Sequence, residues 1–122
     1  MGVMSIATFA QQVRKVSRDW TSFSQTLDVS TEKPRKFVMK GAVKAVIEDT
    51  IAWAGLWARV DTKGDENGFF DNMGDRPVQN PEWKEYTIEG TFNENAERIV
   101  FGGLVLNDGE FYFDKISLHI EN

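Results

Sequence analysis

The chain has 122 residues, long enough for one domain with its own core. Nineteen acidic against fourteen basic residues leave a net charge of −5, a field that opposes phosphate-backbone binding and argues against DNA or RNA as a partner. No cysteine is present, which excludes disulfides, thiolate metal sites and thiol nucleophiles.

Gln11, Gln12, Arg14, Lys15 and Arg18 interrupt the first twenty residues, so neither a signal peptide nor a membrane span is expected there. A cytoplasmic chain, or a domain cut from a longer protein, is the corresponding expectation, with no membrane partner. Within residues 5–17, Ile6, Phe9, Ala10 and Val13 fit a helical stripe, but Phe9 to Val16 fits a strand equally well. The β character of everything downstream favours strand. Residues 1–19 are otherwise an N-terminal segment of uncertain structure within a single domain spanning residues 1–122.

Strand patterning then dominates. Phe23, Gln25, Leu27 and Val29 alternate with Ser22, Ser24, Thr26 and Asp28, and the run stops at Thr31 to Pro34. Phe37, Met39, Gly41, Val43, Ala45 and Ile47 next oppose Lys36, Val38, Lys40, Ala42 and Lys44, whose three lysines mark a solvated face. Residues 53–61 read as an extended strand with Ala54, Leu56, Ala58 and Val60 on one side. Trp53, Gly55, Trp57, Arg59 and Asp61 take the other. Asp61 to Gly68 is a loop by composition, Phe69 to Met73 a short strand, and Gly74 to Pro81 another loop with two prolines. Trp83 to Phe92 is a strand with Tyr86, Ile88 and Phe92 on one face. Ile99 to Leu106, almost continuously apolar, should be a central strand covered on both sides. Asn107 to Glu110 has the composition of a hairpin turn, with Phe111 to Ile120 as the return strand. Short strands separated by turns predict an all-β antiparallel sandwich.

Several of these segments resemble one family. Trp53 to Asp61 is similar to its Trp-Ala-Gly-Leu-Trp-x-Arg-Val-Asp core, and Phe70 to Val78 to its Phe-Asp-Asn-Met…Arg-Pro-Ile segment. Trp83 to Tyr86 resembles the start of its next strand; Ala96 to Gly102 and Phe111 to Ile116 resemble its final hairpin. The family comprises small jelly-roll domains similar to galactose-binding-like carbohydrate-binding modules, found in bacteria alone or appended to transcriptional regulators and hydrolases. The likeness runs from about residue 23 onward. It implies a jelly roll and, as a class of function, ligand binding with sugar as the leading candidate. In related modules the last strand ends in two aspartates beside a structural calcium; here the second is Lys115, so the resemblance does not carry the calcium over.

The candidate ligand site comprises Trp53, Trp57, Arg59, Asp71, Asn72 and Arg76. The two indoles, expected about 7 Å apart on one face, would let sugar rings stack while Arg59 supplies a rigid fork of donors. Asn72 offers a donor and an acceptor together, suited to a vicinal hydroxyl pair. The same residues also fit a purely structural reading. The tryptophans could cap a second core layer, and Asp71 could form an ion-pair network with Arg59 or Arg76. No metal or cofactor is expected, since Lys63 breaks the calcium-loop register of Asp61, Asp65 and Asn67. Ser117 and His119 share a strand face but diverge in parallel, and the glutamates at 82, 85 and 89 lack an opposing carboxylate, so no enzyme is expected. Gly102-Gly103 signals close backbone packing rather than a phosphate cradle. A non-catalytic binding module for carbohydrate or a similar polar small molecule is the first expectation. The alternative is a protein-interaction or sensor domain whose aromatic face packs on a partner, a fused domain or a second copy as a homodimer.

Overall fold

The computed structural model describes residues 4–5, 11–15, 20–64 and 68–121. Its strands are β1 (Met4–Ser5), β2 (Gln11–Lys15), β3 (Trp20–Asp28), β4 (Arg35–Ile47), β5 (Trp53–Thr62), β6 (Phe70–Asp71), β7 (Lys84–Phe92), β8 (Ala96–Leu106) and β9 (Gly109–Ile120). All pairings are antiparallel. One sheet runs β7–β4–β9, with β1 and β2 both along the far edge of β9; the other runs β3–β8–β5–β6. The fold is therefore the expected two-sheet sandwich. Residues 11–15 are strand, as favoured above, while residues 6–10 and 16–19 lie outside the described residues.

The period-2 alternation explains the layers. Phe37, Met39, Val43 and Ala45 of β4 and Phe111, Phe113, Ile116 and Leu118 of β9 point inward from one sheet. Ala54, Leu56, Ala58 and Val60 of β5 and Ile99, Phe101 and Val105 of β8 meet them from the other. Each fully buried Phe contributes roughly 1.5–3 kcal/mol, so the phenylalanines dominate the core. Gly103 faces this core, and the edge-to-face pair of Phe23 and Phe113, 4.9 Å apart, closes over it. A Cβ at Gly103 would lie 2.6 Å from the Phe113 ring and 2.7 Å from Phe23. That is the close packing expected of the glycine pair.

Three expectations need correction. Asn107 to Glu110 is no hairpin turn, because β8 and β9 belong to different sheets. Asn107 takes the left-handed conformation (φ 64°) and is buried, donating through Nδ2 to the Ile51 carbonyl at 3.3 Å. The apolar load on both strands sends the chain across the sandwich, where each strand finds its own partners. The Phe69 to Met73 strand shrinks to Phe70–Asp71, because Met73 at φ 61° turns the chain out of the extended region. The strand expected from Trp83 begins one residue later, at Lys84. At Lys115 (φ 55°) β9 carries a bulge: Lys40 pairs with Ser117 but Ala42 with Asp114.

Candidate functional site

The outer face of the β3–β8–β5–β6 sheet is set by register. Trp20, Leu106 and Trp53 form one cross-strand row, Ser22, Leu104 and Gly55 the next, then Ser24, Gly102 and Trp57, then Thr26, Val100 and Arg59. Phe70 pairs with Arg59 on the free side of β5. A hollow of about 510 Å³ opens on this face, lined by Trp20, Ser22, Trp53, Trp57, Arg59, Phe70, Asn72, Leu104 and Leu106. Trp20 and Phe70 are 64% and 60% exposed at its rim; Trp53 and Trp57 are half-buried within it.

Trp57 stands over β8 because Gly102 has no side chain. A Cβ there would run into the Phe23 carbonyl, so a glycine is required, and its bare backbone leaves room for an indole. The Trp57 Nε1–H donates to the Gly103 carbonyl at 3.2 Å, which fixes the ring and consumes its only donor. The Arg59 guanidinium lies 5.7 Å from the Trp57 ring centroid. Trp53 and Trp57 are farther apart than the 7 Å expected. Gly55 occupies the intervening same-face position, so four residues, about 13 Å of strand, separate them.

Asp61 holds Arg59. Its carboxylate accepts from Arg59 Nε at 2.7 Å and from Arg59 NH2 and Arg98 NH1 at 3.4 Å each. The Arg59 hydrogen bond, against a smaller penalty from burial, keeps the Asp61 carboxyl below its usual value, with the charges of both arginines helping. A second opening of about 530 Å³ continues past Arg59 and Phe70 toward Asp61 and Arg98.

The segment after β6 forms one wall. Asp71 accepts from Arg76 NH2 at 2.6 Å and from the Met73 N–H at 2.8 Å, while Arg76 also pairs with Asp75 at 2.7 Å. Burial pushes the Asp71 carboxyl up, but the Arg76 and Met73 hydrogen bonds and the Arg76 charge outweigh it and leave it below the usual range. Asn72 Oδ1 accepts from the Gly74 N–H at 2.9 Å, and Met73 Sδ accepts from the Leu56 N–H at 3.2 Å. The Ala54–Val78 bridge pins the same segment to β5. Gly55 makes room for it, since a Cβ there would meet the Asn72 carbonyl oxygen at 3.1 Å and Met73 Cβ at 3.2 Å.

Of the six residues singled out from sequence, Trp53, Trp57, Arg59 and Asn72 come together around the hollow. Asp71 and Arg76 pair with each other in the wall and are not among its lining residues. Trp20, Ser22, Phe70, Leu104 and Leu106 were not singled out. Trp20 heads the alternating run of β3 on the same side as Ser22, a signal that the pattern already carried. Phe70 opens the Phe-Asp-Asn-Met segment. Ser117 and His119 sit on the opposite sheet, where with Val38, Lys40 and Glu121 they border a separate hollow of about 320 Å³. Among the described residues no cluster of His, Asp or Glu is arranged to hold a metal ion. Asp65 and Asn67 lie outside the described residues.

No protein-family model matches the chain. Over 65 residues, 52% of its length, it is 35% identical to the uncharacterized HTH-type transcriptional regulator YbfP of Bacillus subtilis (strain 168), a match spanning 22% of that regulator. Among solved structures, a family 16 carbohydrate-binding module-2 superposes with a TM-score of 0.61 at 12% identity, covering 88% of this chain and 73% of the module. The CBM22-1 xylan-binding domain of Paenibacillus barcinonensis Xyn10C superposes with 0.51 at 10% identity, covering 93% and 94%. A chain of infectious bursal disease virus (Gt strain) also superposes, with 0.64 at 6% identity, over 97% of this chain and 31% of the viral one. In fold, this chain is an all-β jelly-roll sandwich of the kind carried by carbohydrate-binding modules.

Proposed function

We propose that the chain is a non-catalytic carbohydrate-binding module whose ligand lies across the outer face of the β3–β8–β5–β6 sheet. The observation that carries this reading is the gathering of Trp20, Trp53, Trp57 and Phe70 around one open hollow, on a face that a soluble sandwich would otherwise cover with polar side chains. The C–H faces of sugar rings suit aromatic planes, and Arg59 and Asn72 meet the polar edge. Because Trp57 is hydrogen-bonded and the Asn72 wall is pinned, the site is largely preformed, which lowers the ordering cost of binding. Solved neighbours named as carbohydrate-binding and xylan-binding domains support the choice of ligand class.

The chain's four tryptophans provide the test. Trp20, Trp53 and Trp57 line the hollow, whereas Trp83, just before β7, packs against Tyr112 of the other sheet, 6.4 Å between ring centroids. In a two-dimensional NMR titration with glycans selected on an array, the three site indole N–H signals move and Trp83 stays. Shifts confined to Trp83, or concentration-dependent shifts without any glycan, would reject the reading; the latter would point to self-association through the aromatic face.

A further inference from the structure

Given the carbohydrate reading above, we propose that the preferred ligand is a neutral saccharide bearing an acyl group, bound through its carbonyl oxygen and its methyl. No carboxylate is among the described residues lining the hollow, whose polar side chains are Ser22, Arg59 and Asn72 beside the indoles. Asn72 Oδ1 already accepts from the Gly74 N–H, which leaves it one lone pair against the two Nδ2 donors. Both oxygens of Asp61 are engaged by Arg59 and Arg98, while Arg59 keeps the N–H groups that do not face Asp61. Asp71, next to the lining residues Phe70 and Asn72 in the chain, is committed to Arg76 and the Met73 N–H. Recognition of a bare hydroxyl edge calls for acceptors as well as donors, and here Ser22 is the lining residue with a rotatable hydroxyl. A carbonyl oxygen asks only for donors.

The floor makes the same selection. Leu104 and Leu106 line the hollow between the indoles, and hydroxyls laid on leucine lose their water hydrogen bonds with nothing in return. A methyl group gains there. A carboxylate would also use donors, but Arg59 is already neutralised by Asp61. Glu97 lies 3.9 Å from Arg98, Asp28 pairs across from Arg98 in the sheet, and the chain carries −5. That field disfavours an acidic sugar.

The acyl group can come from an N-acetylated amino sugar or an O-acetyl ester, and calorimetric titration of the wild-type chain separates them. The probes are triacetylchitotriose against cellotriose, O-acetylated xylotriose against xylotriose, and trigalacturonate. At least one acetylated probe is expected to bind about tenfold or more tightly than its unacetylated counterpart. Arg59→Gln should shrink that gap to roughly threefold or less, weakening the acetylated probe well beyond any loss for its counterpart; a gap left at its wild-type size overturns the assignment of the acyl oxygen to Arg59. Equal or tighter binding of cellotriose and xylotriose, or of trigalacturonate, overturns the acyl assignment but leaves a carbohydrate module. Binding of none of the five, together with a glycan array without signal, overturns the carbohydrate reading itself.

Discussion

Trp57→Ala and Leu56→Ala, adjacent on β5, separate the ligand face from the core. Trp57 points outward and half-buried, so its loss removes roughly half of an aromatic's burial, about 1–1.5 kcal/mol. It also removes the hydrogen bond to the Gly103 carbonyl, worth about 1 kcal/mol, and the Arg59 contact, worth about 0.5 kcal/mol at an exposed site. The sum, about 2.5–3 kcal/mol, should lower the Tm by roughly 8–12 °C for a domain of this size. Leu56 is fully buried, and its methyls press on Gly41, where a Cβ would sit only 2.9 Å from Leu56 Cδ2. Truncating it should cost about 2–5 kcal/mol. Binding moves the other way. Trp57→Ala should weaken glycan affinity by about thirtyfold or more, as an interface anchor does, while folded Leu56→Ala keeps wild-type affinity within about threefold. Differential scanning calorimetry and titration calorimetry on both variants measure the four numbers. A Trp57→Ala protein that binds glycans with wild-type affinity would refute the assignment of Trp57 to the ligand face.

Other outcomes follow from the same geometry. Gly103→Ala drives a methyl into the Phe23 and Phe113 rings and should cost about 1–3 kcal/mol in chemical denaturation; a neutral result would mean the edge-to-face pair can slide apart. Asp61 and Asp71 have folded-state pKa values below the ordinary 3.8, so their stabilising contribution is complete above that value and is lost as pH falls through their lower folded values. Acid unfolding curves should therefore show stability declining below about pH 4, with Asp71→Asn flattening the decline; an unchanged slope would argue that the Arg76 pair is solvated. Lys115→Gly relieves a left-handed residue and should raise the Tm by about 1–4 °C, since the strain released slightly exceeds the added chain entropy. A drop would mean that the lysine side chain stabilises the bulge.

The strands of both sheets were written in local alternation, because a strand buries one side and the side-chain period is two residues. Phe23 to Val29, Phe37 to Ile47 and Trp53 to Asp61 all lie as their patterns predict, and the outward set of β5 could be read directly. Sequence also paired Trp57 with Arg59 and marked Gly102-Gly103 as a place of close approach. It did not carry the partners of each strand. Trp20 joins Trp53 only because β8 lies between their strands, and Phe70 reaches Arg59 only because two residues of β6 pair with β5. The crossing at Asn107 was likewise settled in three dimensions, whereas the wider spacing of the two indoles follows from their four-residue separation in the sequence. Whether Asp71 would meet Arg59 or Arg76 was decided by the turn at Met73, which folds the wall back on itself. Local periodicity determines which side of a strand is wet; long-range hydrogen-bond register determines which wet side chains share a hollow, and no short window of sequence contains it.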